Sequence, residues 1–148
     1  MTAKAVSRQE IIMNFSTPPS VDDIVVMARQ TVVTLPDELT RKCIELILEV
    51  EEFPDETIEQ DMDLSSPYEL LALYHSGKEI STGVQKKIAN GEDKLVLYRR
   101  PILDLWSETG EDLATLVREV MVEELARGLE FSEDDIQDMI HRHHQGML

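Results

Sequence analysis

The chain has 148 residues, enough for one domain with a buried core, and its 42% hydrophobic but only 5% aromatic content implies an aliphatic interior rather than a disordered chain. Thirty acidic against fourteen basic residues give a formal charge of −16, which repels phosphate backbones and anionic headgroups and so argues against nucleic acid and membrane partners. Cys43, the single cysteine, cannot form an internal disulfide, and "MTAKAVSRQEIIMNF" has no apolar run long enough for a signal peptide or a membrane span, so a cytoplasmic location is expected.

Residues 1–19, ending in "STPPS", read as an N-terminal arm, and residues 20–148 as a single domain. Ser20 and Asp23 have capping-box spacing, and Val21, Ile24, Val25, Ala28 and Val32 recur as a helical stripe until "LP" at 35–36 stops it. A short helical turn is expected in "PDELTRK". Ile44, Leu46, Leu48 and Val50 then alternate with Glu45, Ile47, Glu49 and Glu51, the pattern of an edge or half-exposed strand. "PDETIEQDMD" predicts a short acidic helix, "SPYELLALYHSG" a helical turn entering a second strand, and "KLVLYRRP" a third strand after the loop "ANGEDK". Pro101 is expected to open a short helix, "PILDLWSE", and Thr109 with Asp112 to cap a long one whose stripe is Leu113, Leu116, Val117, Val120, Met121 and Leu125. Ser132 with Asp135 forms another capping box, and Phe131 with Ile136 has the spacing of a hydrophobic staple, so a further helix starts at about 133 after a bend between Gly128 and Ser132.

The strings "SPYELLALYHSGKEIS" and "KLVLYRRPILDLWSETGEDLATLVREVMVEELARGLEFSEDDI" resemble a family of small bacterial metallopeptidases of zincin-like fold, the minimal zincins. The resemblance runs from about "PPSVDDI" to Ile136. It implies an α+β, zincin-like fold for residues 20–148, with a small three- to four-stranded sheet packed on helices that include the long signature helix. In that family the helix carries H-E-x-x-H-x-x-G-x-x-D. Two histidines four apart share one helix face and offer neutral nitrogens to one zinc, while the adjacent glutamate acts as general base toward the bound water.

Matched residue by residue, the first histidine falls on Glu123, the catalytic base on Glu124, the second histidine on Arg127, the glycine on Glu130 and the acidic third ligand on Glu133. Arginine stays protonated and offers no lone pair, so Arg127 cannot ligate zinc. The resemblance therefore implies zinc for the family but no cofactor for this chain, its ligands having been replaced. The expected function is that of a catalytically inactive family member that binds a peptide or a partner protein, with Glu123, Arg127 and Glu133 as binding residues. Arg127 is expected to neutralise Glu123, Glu124 and Glu133 and to hold their pKa values down. Two other readings stay open. One is an active metallopeptidase with an altered metal centre, Glu123 and Glu133 being joined by a tail histidine or a ligand from a second subunit; the other is a structural or assembly protein. Taken alone, Glu123 and Arg127 are an i,i+4 pair worth only about 0.3–0.5 kcal/mol on a solvated face.

Other chemistry is sparser. His141, His143 and His144 in "HRHH" are candidate metal ligands, but three histidines within four residues need a second segment to converge, and the bland alternative is a polar tail. His75 stands alone and reads as structural, as does Cys43 ahead of an apolar strand. The acidic run "EVEEFPDETIEQDMD" lacks a glycine-centred calcium loop and reads as a solvated face.

Overall fold

Ser20 starts the first helix in the computed structural model, which describes residues 18–41, 46–76 and 93–146. The Ser20 hydroxyl accepts from the Asp23 N–H at 3.1 Å and the Asp23 carboxylate accepts from the Ser20 N–H at 2.8 Å, a reciprocal capping box that opens α1 (Val21–Val32). The buried line of α1 is Ile24, Met27, Ala28 and Thr31. It is rotated slightly from the valine-rich stripe read in the sequence, leaving Val21, Val25 and Val32 half-buried. Thr31 tolerates the interior because its hydroxyl donates to the Met27 carbonyl at 3.0 Å.

The short helix α2 (Asp37–Thr40) follows, then strand β1 (Leu46–Glu51), the acidic helix α3 (Glu56–Asp61) capped by Asp55, a 3₁₀ turn (Pro67–Glu69) capped by Ser66, and strands β2 (Ala72–His75) and β3 (Asp93–Tyr98). Among the described residues the sheet has three strands in the order β1-β3-β2. β1 runs parallel to β3 from Leu46 opposite Asp93 to Glu51 opposite Tyr98, and β2 runs antiparallel to it with Ala72 opposite Leu97. The central position of β3 explains its unbroken apolar run, since both faces of Leu95, Val96, Leu97 and Tyr98 are covered. β1 lies at one edge with its outward glutamates, as its alternation implied, and β2 forms the other edge.

Two helix starts differ from the sequence reading. α4 (Arg99–Thr109) begins two residues ahead of Pro101, because a proline within the first turn forfeits only an N–H that has no intrahelical acceptor. Gly110, at φ 72°, ends it in the left-handed conformation that glycine adopts without penalty. Thr109 therefore closes α4 instead of capping the next helix. Asp112 alone caps α5 (Leu113–Gly128), accepting from the Thr115 N–H at 3.0 Å.

α5 buries the whole expected stripe and, in addition, Arg118, Val122 and Ala126. A single stripe would suffice against one neighbour, but α5 packs on β2, β3, α1, α4 and α6 (Glu133–Gly146), so nearly its whole circumference is interior. α6 starts as expected, with the Ser132 hydroxyl accepting from the Asp135 N–H at 3.1 Å and with Ile136 and Met139 in the core. Residues 1–17 of the arm, Cys43, Ile44, Glu45 and most of the "ANGEDK" loop lie outside the described residues.

Candidate functional site at the end of the long helix

The last two turns of α5 carry Glu123, Glu124 and Arg127, and the chain then turns so that Glu133, first residue of α6, faces back toward them. The turn is a Schellman closure. The Glu130 N–H donates to the Arg127 carbonyl at 3.0 Å and the Phe131 N–H to the Ala126 carbonyl at 2.9 Å, with Glu130 at φ 68°. The residue matched to the family's glycine thus holds the left-handed backbone that glycine favours, at a strain of about 1 kcal/mol for a side-chain-bearing residue. The bend brings Glu133 back toward the site with a glutamate at its left-handed position.

Arg127 sits among all three carboxylates. Its Nη2 donates to Glu123 Oε2 at 2.9 Å and lies 3.8 Å from Glu133 Oε2, and its Nη1 lies 3.9 Å from Glu124 Oε1. The Arg127 and Glu123 side chains are about half exposed, Glu133 is largely exposed, and Glu124 is mostly enclosed. The bond to Glu123 raises the Arg127 pKa above its ordinary value.

Glu124 departs from expectation. Its pKa is raised, because loss of solvent around the carboxylate outweighs the lowering effects of the Tyr74 N–H bond and of Arg127, and Glu123 pushes in the same direction as burial. Arg127 therefore offsets the burial of Glu124 without overcoming it. Beneath this acidic rim, the buried Tyr98 phenol is pushed well above its ordinary range, first by burial and then by Glu51, Asp55, Glu124 and Glu49, so it stays a neutral hydroxyl.

Two contacts tie the edge strand to this helix end, and the motif gave no hint of either. Glu124 Oε2 accepts from the Tyr74 N–H at 3.1 Å, and the Tyr74 ring lies so close to α5 that a Cβ on Gly128 would run into it. A glycine inside a helical pattern is the one sequence signal for such a close approach. Because Tyr98 N–H bonds the Leu71 carbonyl on the β3 side while the Tyr74 N–H turns to Glu124, the strand alternation directs the Ala72 N–H and carbonyl away from β3. Ala72 also lines a cavity of about 220 Å³ whose walls include Glu69, Leu71, Val120, Glu123 and Arg127.

A metal does not fit this donor set. The cationic Arg127 bonds Glu123 and lies within 4 Å of Glu124 and Glu133, and among the described residues no group of three or more His, Cys, Asp or Glu is arranged to hold an ion. His141 uses its Nδ1 against the Gln137 carbonyl at 2.9 Å on its own helix, and the side chains of His143 and His144 lie outside the described residues. His75 ends β2 on an exposed position. None of the described helices is long and apolar enough to cross a membrane.

A three-stranded sheet packed on helices that include the long α5 is consistent with a zincin-like fold. The sequence pattern of the zincin-like metallopeptidase family matches residues 43–143, more than half of the chain, and the chain belongs to that family. No curated protein matches it closely.

Proposed function

We propose that this family member binds a peptide or a segment of a partner protein in the cleft between β2 and α5 and does not hydrolyse it. The observation that carries the reading is that Arg127, matched in sequence to the family's second histidine, lies within 4 Å of Glu123, Glu124 and Glu133. A fixed guanidinium neutralises the carboxylates but supplies neither a Lewis acid nor a bound nucleophilic water. Glu124, the one retained catalytic position, has one oxygen on the Tyr74 N–H and the other facing Arg127, so it acts as a brace between strand and helix. Among the described residues no strand pairs with Ala72 on the side away from β3, which suits an extended segment adding itself to the sheet, with Arg127 and Glu123 as polar contacts along it.

Elemental analysis of protein purified without an affinity tag tests this directly. No stoichiometric zinc and no general peptidase activity are expected; one zinc per chain that disappears in Glu123→Ala overturns the reading. The residue matching has its own test. Glu123→His with Arg127→His should create measurable zinc affinity, because the bend at Glu130 is in place and Glu133 can join two imidazoles. A folded double variant that ignores zinc would sink the matching.

A further inference from the structure

A second groove, of about 520 Å³, lies between α4 and the 3₁₀ turn and is walled by Pro18, Tyr68, Arg100, Leu103, Asp104 and Trp106. It shares no lining residue with the cavity at Glu124. Its two arginines are used differently. Arg99 is tied down, its Nη1 on Glu52 at 2.8 Å and its Nε on the Pro19 carbonyl at 2.6 Å. Arg100 is exposed and makes no ion pair among the described residues, although Asp104 stands one helical turn away on the same face. Instead its guanidinium lies over the Phe53 ring, 5.5 Å from the centroid, and Phe53 in turn meets Tyr68 edge-on at 5.1 Å. This cation–π contact leaves N–H donors of the exposed guanidinium for an acceptor. Trp106 is fixed as well, its indole N–H donating to the Glu111 carbonyl at 2.8 Å.

We infer that this groove docks an extended segment of another protein that carries a carboxylate beside a large apolar side chain, the carboxylate on Arg100 and the apolar group against Leu103 and Trp106. Charge complementarity selects the ligand. In a chain with thirty acidic residues, an exposed cation that lies near an aromatic ring and is not paired with its acidic neighbour gives this groove a local positive end. Asp104 gives the groove polarity, since a carboxylate at its end is repelled. The overall charge of −16 opposes an acidic partner at long range, so recognition depends on contacts inside a Debye length, about 8 Å at physiological salt.

The only tryptophan of the chain lines this groove, which makes Trp106 fluorescence a direct reporter. The full chain at physiological salt should be titrated with acetyl-Glu-Glu-Phe-Leu-amide and with the same peptide carrying lysines or glutamines in place of the glutamates. Saturable binding of the acidic peptide is expected, with a dissociation constant on the order of 0.1–1 mM. Arg100→Gln should weaken it roughly five- to tenfold, whereas Asp104→Asn should tighten it. Equal binding of the lysine or glutamine peptide, or tightening by Arg100→Gln, overturns the proposal. So does a flat titration. Arg127→Met should leave this titration unchanged, which separates the proposal from the reading of the cleft.

Discussion

Arg118 and Arg127 lie on the same helix and do opposite things. Arg118 is buried, donates from Nη2 to both the carbonyl and the hydroxyl of Thr34 just beyond α1, leaves its Nε unpartnered, and has no ion pair among the described residues. Burial lowers its pKa. Arg127 is half exposed, stands among three carboxylates, and has its pKa raised by the hydrogen bond to Glu123. The first is a cation placed at the negative end of a helix and held by packing of its stem. The second is the centre of a polar network. Surroundings, not residue type, decide whether an arginine on this helix fastens elements together or balances charge.

The largest test of that contrast is at the buried end. Arg118→Ala should lower unfolding free energy by about 2–4 kcal/mol, because it empties core volume and removes the hydrogen bonds to Thr34. Arg118→Met should stay within about 1 kcal/mol of the parent, since it keeps the stem and removes a buried, incompletely satisfied charge. Urea denaturation of both variants compares them. Equal losses would mean that the polar contacts, not the stem, hold α1 to α5.

At the exposed end, Gly128→Ala should destabilise by about 1–2 kcal/mol even though alanine is the better helix former, as the new methyl must displace the Tyr74 ring. Faster amide exchange at Tyr74 should accompany the loss, marking release of the β2 edge from Glu124. A stabilised variant would show that the edge strand yields freely.

Arg127→Met should cost about 0.5–1 kcal/mol at neutral pH and less at high salt. The pH dependence follows from Glu124. Its native pKa lies above the unfolded value, so protonation favours the fold; that contribution is complete below the ordinary glutamate range and is lost as pH rises through the native value. Without Arg127, burial and Glu123 act unopposed, the native value rises further, and the deficit should be greatest at neutral pH and shrink on acidification. Denaturation at pH 4 and pH 7 checks this, and an equal deficit at both would assign Arg127 the same packing role as Arg118.

The smallest expected effect is a gain. Glu130→Gly should raise stability by about 0.5–1 kcal/mol by relieving the left-handed strain at φ 68°, with the Schellman bonds unchanged. A loss would show that the Glu130 side chain makes a compensating contact.

Much of this molecule was legible in its sequence. The Ser20–Asp23 box and the Ser132 cap act between residues three apart, and the alternation from Leu46 to Glu51 and the apolar stripe of α5 follow from local periodicity, so spacing alone revealed them. The fit of E-E-x-x-R to the family motif likewise placed Glu123, Glu124, Arg127 and Glu133 together before any coordinates. What the tertiary structure alone decided depends on partners distant in the chain. The parallel pairing of β1 with β3, the burial of Arg118 against Thr34, the hold of Glu124 on the Tyr74 N–H and the ring of Tyr74 against Gly128 all join residues dozens of positions apart. The same cause reverses the expected sign at Glu124. The number of neighbouring charges can be counted in a sequence, but the loss of solvent that outweighs them arises only when the edge strand closes over the helix.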